Sequence, residues 1–269
     1  MTTTSRLAAL TFIAVLVGAC ADRDDPPAVQ SPAGSPSIVQ EVPPPGRLSD
    51  HVQPTAYQLD LRLDPRADGF SGSVAIDLQL TRPSPVIWLH GLDLRVASVS
   101  AMTPGGESLA GSYEQVLASG VSAVRFDQPL PAGAVRLRLE YSADYNRNLA
   151  GLFKVEEQGD AYVLAKSESI QARRFLPGFD EPGLKAVYQV RLTVPEGNQV
   201  ITNTPETGRE AAGDGMVTVS FASTRPMSTY LLSLAVGPFD VVERPPLPPN
   251  AWRERAIPLR GFARRGRGG

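Results

Sequence analysis

The residue types that most often bind metal ions or act as nucleophiles are scarce in this chain of 269 residues. It contains two histidines, His51 and His90, and a single cysteine, Cys20. A helical zinc site needs two histidines one turn apart, and a structural site needs a cluster of cysteines and histidines. The two histidines lie far apart in the sequence, so neither arrangement is available. We interpret both as packed or surface residues, and we assign no catalytic and no metal-ligating residue to this chain.

Two adjacent carboxylates, Asp180 and Glu181, are the next candidates for chemistry, because paired carboxylates act as acid and base in glycoside hydrolysis. Neighbouring residues in a strand point to opposite faces, and Pro182 directly after them indicates a turn. We therefore favour a structural role, in which the turn is capped and paired with Arg173 or Arg174 through buried ion pairs.

The elements that must position these residues are strands. Glycine (24 residues) and proline (25 residues) are abundant, the hydrophobic fraction is 42%, and apolar residues alternate with polar ones over many short segments. This pattern predicts an all-β fold, closed as an antiparallel β-sandwich. The predicted strands are 57–63, 70–80, 86–89, 94–102, 121–126, 135–141, 161–165, 187–194, 200–202, 216–221 and 230–236.

The net charge of the chain does not favour a nucleic-acid partner. The formal net charge is −2, so no strong overall field attracts a polyanion. Residues 263–269 combine arginine with glycine and superficially resemble an RGG-type segment, but one short copy does not support that function. We expect no nucleic acid among the partners.

The N-terminus has the pattern of an export signal. Arg6 precedes the apolar run 7–17, which is shorter than the ~20 residues of a membrane-spanning helix. Residues 17–20, Val-Gly-Ala-Cys, look like a bacterial lipobox, in which the cysteine is lipidated and becomes the mature N-terminus. We predict a lipoprotein signal peptide over 1–19 and lipidation at Cys20. The alternative is an ordinary cleaved signal with an incidental cysteine.

The residues after the cysteine refine this expectation. Ala21, in place of the aspartate associated with inner-membrane retention, favours an outer-membrane anchor in the bacterial cell envelope, facing the periplasm or the exterior. Residues 20–49 are rich in proline and show no periodicity. They are therefore predicted to be a disordered tether between the lipid and a folded domain.

Two longer stretches carry a resemblance to a known family. Residues 166–186 read KSESIQARRFLPGFDEPGLKA, and residues 225–239 read RPMSTYLLSLAVGPF. ITNTP at 201–205 lies between them, and LHGLDL at 89–94 precedes them. In this order they resemble the N-terminal domain of the M1 zinc aminopeptidases (aminopeptidase N and its relatives) over residues 50–243. The resemblance implies a saddle-like N-terminal β-sandwich.

The resemblance gives a role to Glu168. In the family, the glutamate four residues before Ala-Arg-Arg lies at the edge of the active-site cleft and helps to bind the free α-amine of the substrate peptide. A fixed carboxylate suits that role, because it binds an ammonium group through a charge-assisted hydrogen bond. The alternative is a solvated glutamate at a strand end. Lys166 stands where the family often has a glutamine, which puts a second polar contact in doubt.

The motifs that supply the family's catalysis, H-E-x-x-H for zinc and G-x-M-E-N for the substrate, do not occur in this sequence. We expect the amine-binding domain of a membrane-anchored zinc aminopeptidase, inactive alone, with peptides bearing a free N-terminus as partners. Zinc is expected in the full-length enzyme, and no cofactor in this chain. Residues 244–269 are expected to be a truncated, disordered start of the catalytic domain. The alternative is a stand-alone surface β-sandwich for binding or adhesion.

Overall fold

Strands make up most of the described chain, which is residues 42–268 of a computed structural model. Two short 3-10 helices, η1 (Ala172–Arg174) and η2 (Thr229–Leu231), interrupt them. The sixteen strands in this range are β1 (Val52–Arg62), β2 (Gly69–Leu80), β3 (Ser84–His90), β4 (Arg95–Met102), β5 (Ser108–Gln115), β6 (Val121–Leu130), β7 (Gly133–Asp144), β8 (Gly151–Glu157), β9 (Asp160–Lys166), β10 (Val187–Pro195), β11 (Gln199–Thr202), β12 (Glu206–Gly213), β13 (Met216–Phe221), β14 (Leu234–Gly237), β15 (Phe239–Leu247) and β16 (Ile257–Arg264).

The strands form two main sheets and a two-stranded ribbon. The large sheet has ten strands in the order β12-β13-β10-β1-β2-β7-β4-β5-β6-β3, the small sheet has four in the order β11-β14-β9-β8, and β15 pairs with β16. Apart from the parallel pair β1–β10, the strand pairs within residues 42–268 are antiparallel. The predicted all-β fold with antiparallel sheets is confirmed, and the parallel pair is an exception that the sequence did not predict.

Side chains from both sheets enter one hydrophobic core. Leu137 and Leu139 of β7 are fully buried, whereas the arginine between them is exposed, because successive side chains of a strand point to opposite faces. Val163 and Val236 of the small sheet belong to the same buried cluster. Burial contributes ~1.5–3 kcal/mol for each such side chain before the entropy cost. The small sheet thus covers part of the apolar face of the large one.

Five strands of the structure were not predicted: β5, β8, β12, β15 and β16. All eight residues of β12 are exposed, and pairing with β13 holds it at the edge of the large sheet. The predicted strand 230–236 is also shorter than expected. Its first part turns as η2, where the Thr229 hydroxyl bonds to Asp180, and only β14 continues into the small sheet.

The described part of the C-terminal segment, residues 244–268, differs from the expectation that 244–269 is disordered. The ribbon pairs from Phe239↔Arg264 to Leu247↔Ile257, so the predicted domain boundary at 243 falls inside β15. The base of the ribbon is fixed to the small sheet, since the Phe239 ring lies 4.9 Å from that of Tyr162. Cross-strand hydrogen bonds and this packing order a segment whose composition alone predicts no structure.

The predicted tether, 20–49, reaches the described residues only at its end. Residues 42–49 contain no helix or strand, but Leu48 is buried and its N–H donates to Glu181 Oε1 at 2.5 Å. The packed domain therefore begins before residue 50. Cys20 and the predicted signal peptide, 1–19, lie outside the described residues. In the described part of the chain, no helix has the length and apolar character that crossing a membrane requires.

Two stacked tyrosines mark the parallel pair. Tyr57 of β1 and Tyr188 of β10 are register partners, with ring centroids 4.7 Å apart and planes at 10°. The Tyr57 hydroxyl accepts a hydrogen bond from the Phe179 N–H at 2.9 Å. The buried Tyr188 hydroxyl has no hydrogen-bond partner among the described residues. Both rings are buried and stack on each other. They differ in that only the Tyr57 hydroxyl has a hydrogen-bond partner among the described residues.

We expect Tyr57→Phe to lower the free energy of unfolding by about 1–3 kcal/mol, because the buried Phe179 N–H loses its acceptor. Tyr188→Phe is the matched control, and should change the free energy of unfolding by less than about 0.5 kcal/mol or raise it, because the hydroxyl that it removes is unpaired. Urea denaturation followed by circular dichroism measures both values. Equal destabilisation by the two substitutions would contradict these roles.

Candidate functional site

Glu168, the predicted substrate-binding residue, lies on the surface in the turn that follows β9. Its side chain makes no hydrogen bond or ion pair with another described residue, and the Glu168–Ser169 peptide bond is cis. The preceding Ser167 is buried, and its hydroxyl donates to the Leu232 carbonyl at 2.5 Å. The exposed carboxylate is therefore presented by a turn whose first residue is fixed to the stretch 225–239, the second motif segment.

Beyond the turn, a buried ion pair fixes the first motif segment, residues 166–186. Arg173 Nε lies 3.0 Å from Asp180 Oδ2, with 7% and 2% of the two side chains exposed. Arg173 also donates to the Ser119 carbonyl at 2.8 Å, and Asp180 Oδ1 accepts from the Thr229 hydroxyl at 2.5 Å. A buried pair needs such additional partners, because isolated charges are costly to remove from water. Arg173 and Asp180 together therefore fix the position of η1.

Of the two arginines proposed for this role, Arg173 is the one that is buried. Arg174 lies 3.5 Å from the exposed Asp93 carboxylate and donates to the Gln171 side chain at 2.7 Å. Glu181 makes no ion pair among the described residues, and instead accepts the N–H of Leu48. Asp180 and Glu181 thus have separate structural partners, as expected for a turn rather than for an acid–base pair.

Besides the Ser167–Leu232 hydrogen bond, the second motif segment is joined to the first at three further points. Thr229 bonds to Asp180, the Ser228 hydroxyl donates to the Pro182 carbonyl at 2.6 Å, and Met227 forms a β-bridge with Ala186. The sequence showed the two stretches as separate motifs. In the structure they form one platform, which we define as residues 166–186 and 225–232, and Glu168 lies on its surface.

His90 is part of the support of this platform. Its ring is buried, and Nδ1 accepts the Asp180 N–H at 3.2 Å. Burial, and secondarily the nearby Arg173 guanidinium, lower the pKa of His90 from about 6.5 to about 3, so the ring is neutral at pH 7. The sequence indicated a packed or surface histidine and gave no sign that it contacts Asp180, because the two residues are far apart in the chain.

His51 lies in a separate environment, where its ring contacts the hydroxyls of Ser49 and Ser84. Within residues 42–268, no three His, Cys, Asp or Glu side chains are grouped so that they could hold a metal ion. The residues that the structure describes do not fit a zinc site.

The depressed pKa of His90 leads us to predict how the free energy of unfolding depends on pH. Between pH 6.5 and 3 the unfolded chain binds a proton at this ring and the native protein does not, so stability falls as the pH falls through this range. His90→Asn keeps an acceptor for the Asp180 N–H and removes the titrating group. Between pH 7.5 and 4.5, we expect the wild type to lose about 1–3 kcal/mol more unfolding free energy than His90→Asn.

Urea denaturation at pH 7.5, 5.5 and 4.5 tests this difference. The other titrating groups contribute equally to the pH dependence of the unfolding free energy in both proteins, so their contributions cancel in the difference. Identical pH dependence in the two proteins would show that His90 does not have a depressed pKa in the native state.

Comparison with known proteins supports the resemblance read from the two motif segments. Residues 53–231 match the family described as the peptidase M1 N-terminal domain. The chain is similar to glutamyl aminopeptidase of Homo sapiens, with 29% identity over 80% of this chain and 24% of that protein. It is also similar to aminopeptidase M1 of Arabidopsis thaliana, with 33% identity over 73% of this chain and 23% of that protein.

The match includes Glu168, Arg173, Asp180 and Thr229, which are the residues that build and stabilise the platform. The chain spans about a quarter of the length of these curated relatives. Since the family match covers more than half of the chain, this protein belongs to the peptidase M1 N-terminal domain family.

Proposed function

We propose that this chain is the amine-recognising domain of a zinc aminopeptidase, in which Glu168 binds the free α-ammonium group of a peptide. The observation that carries the proposal is the exposed Glu168 carboxylate on a turn fixed by buried contacts on both sides. Ser167 bonds to Leu232 before it, and Arg173 pairs with Asp180 after it. A carboxylate on a rigid support binds an ammonium group with a smaller loss of conformational entropy than one on a mobile loop.

This function selects peptides by their N-terminus. A free α-amine is protonated and donates charge-assisted hydrogen bonds, whereas an acetylated or internal amide nitrogen carries no charge. The Glu168 side chain has no cation paired with it in the described chain, so its oxygens are available to a ligand. Because the site is open to solvent here, binding by this domain alone is weak.

Hydrolysis is proposed for the whole enzyme and not for this domain. The chain spans about a quarter of the length of the relatives named aminopeptidase, and residues 42–268 do not fit a zinc site. We therefore propose zinc binding and peptide-bond cleavage only for a whole enzyme of the relatives' length. The role of the described residues is to hold Glu168 in place.

We expect the chain to bind a peptide with a free N-terminus about two- to fivefold more tightly than its acetylated form, as suits an exposed charge pair. Glu168→Gln should abolish this preference, because it removes the charge and keeps the side-chain size. NMR titration of the labelled chain with both peptides measures the two affinities.

Glu107→Gln is the matched control for this measurement, because Glu107 is also exposed and lies outside the platform. It should leave the preference unchanged. Equal affinity for the two peptides in the wild type would refute amine recognition, and tight binding of both would favour the stand-alone binding module.

We also propose that the protein is anchored in the bacterial cell envelope by a lipid on Cys20, with an outer-membrane location. The support is sequence alone: an apolar run, small residues before the cysteine, and Ala21 after it. A lipid anchor followed by the proline-rich residues 20–49 would keep the folded domain at a distance from the bilayer while holding it at the surface.

Labelling with radioactive palmitate in a bacterial host tests the anchor. We expect the wild type to incorporate label and to fractionate with the outer membrane, and Cys20→Ser to lose the label. Ala21→Asp is the control for location, since it should keep the label and move the protein to the inner membrane. Label retained by Cys20→Ser would exclude lipidation at this residue.

A further inference from the structure

A cavity of about 740 Å³ lies beside the buried ion pair. His90, Arg173 and Asp180 line it, and residues 44–50 contribute one wall. Its volume is within the ~300–1,000 Å³ that small-molecule sites occupy. Glu168 is not one of its lining residues, so the cavity is distinct from the proposed amine-binding surface.

His90, whose side chain is largely buried, offers a hydrogen-bond donor at this cavity. The residue is only 2% exposed, and its Nδ1 accepts the Asp180 N–H. This bond places the ring proton of the neutral imidazole on Nε2. Nε2 makes no hydrogen bond with any described residue. Nε2 is not among the fully buried unpaired atoms of the described chain, so its N–H is accessible from the cavity and can donate to a ligand that supplies an acceptor.

Glu181 offers the complementary group. It lines the same cavity, and its Oε1 accepts the backbone N–H of Leu48 at 2.5 Å. The hydrogen bond from Leu48 is therefore an example, within the chain, of this carboxylate binding an amide N–H. The second carboxylate oxygen has no partner among the described residues and can accept another donor.

The rest of the lining limits the charge and polarity of the ligand. Leu117, Ile170 and Leu184 supply apolar surface. The charge of Arg173 is offset by its contact with Asp180. Arg47 and Asp50 also line the cavity but are exposed and opposite in charge, whereas Glu181 is half-buried and has no ion pair among the described residues. An anion is disfavoured next to that carboxylate, and a fully apolar ligand would leave the His90 N–H unpaired. A neutral group with one acceptor and one donor satisfies both polar residues.

We propose that this cavity binds a neutral amide with an apolar side chain, as in the backbone of an apolar peptide segment. The amide carbonyl accepts from His90 Nε2–H, its N–H donates to Glu181, and the side chain lies against the leucine and isoleucine residues. The ligand class differs from that of Glu168, since it needs no free amine and no charge.

The probe is N-acetyl-L-leucinamide, which carries amides on both sides of an apolar side chain and has no free amine. The chain contains only two histidines, so in protein labelled with ¹⁵N-histidine the Nε2 signals of His90 and His51 are assigned by the single variant His90→Asn. We expect the His90 signal to shift saturably, with a Kd in the millimolar range, and the His51 signal to stay fixed.

Two comparison ligands test the chemistry. N-acetyl-L-leucinate carries a negative charge, and 3-methylbutyl acetate keeps a carbonyl and a similar apolar chain but has no N–H. Each should bind about tenfold more weakly than the amide. Equal affinity of the ester would overturn the role of Glu181, and equal affinity of the carboxylate would overturn the requirement for a neutral ligand.

A matched pair of variants tests the location. Ile170 lines the cavity and is 48% exposed, whereas Leu231 is 47% exposed and lies outside the lining. Ile170→Trp should fill the cavity and abolish binding, and Leu231→Trp should leave it unchanged, as measured by calorimetry. Binding that survives Ile170→Trp, or a shift that never saturates, would overturn the proposal. The probe lacks an amine, so neither outcome depends on Glu168.

Discussion

The buried pair of Arg173 and Asp180 is the interaction on which the rest of the site depends. Two charges removed from water cost several kcal/mol each, and they remain buried only where their other donors and acceptors are also bonded. The Ser119 carbonyl, the Thr229 hydroxyl and the His90 ring meet that requirement. These partners come from three distant parts of the chain, so satisfying the pair brings β3, the turn before β6 and the second motif segment together.

The position of Glu168 follows from this arrangement. Its turn runs between two fixed points, the Ser167–Leu232 hydrogen bond and η1 with its buried arginine. Rigidity of the support does not by itself give strong binding, because an exposed ion pair contributes ~0–1 kcal/mol. A carboxylate in this setting recognises an amine strongly only when further groups exclude water. Exposure is therefore the physical reason to expect only weak amine binding from the described residues, which belong to a chain that spans about a quarter of the length of its relatives.

Features that depend on local sequence were predictable. The eleven predicted strand segments each overlap a strand of the structure, although only the end of 230–236 does so, and Asp180 forms its ion pair at the predicted turn. Features that depend on tertiary partners were not. All residues of β12 are exposed, and its hydrogen-bonded pairing with β13 stabilises it as a strand. The parallel register of Tyr57 and Tyr188 joins residues far apart in the chain. Which arginine is buried, Arg173 or Arg174, is decided by neighbours that the local motif does not contain.

His90 shows how one buried pair can support the two surfaces for which binding is proposed. Its neutrality follows from burial first and from the Arg173 charge second. A neutral ring can accept the Asp180 N–H at Nδ1 while presenting an N–H at Nε2, which a doubly protonated ring could not do. The same pair thus stabilises an exposed carboxylate on one side and a neutral donor inside a cavity on the other. Ligands suited to these surfaces differ in charge, so a peptide amine bound at Glu168 and an amide bound beside His90 would not compete for the same groups.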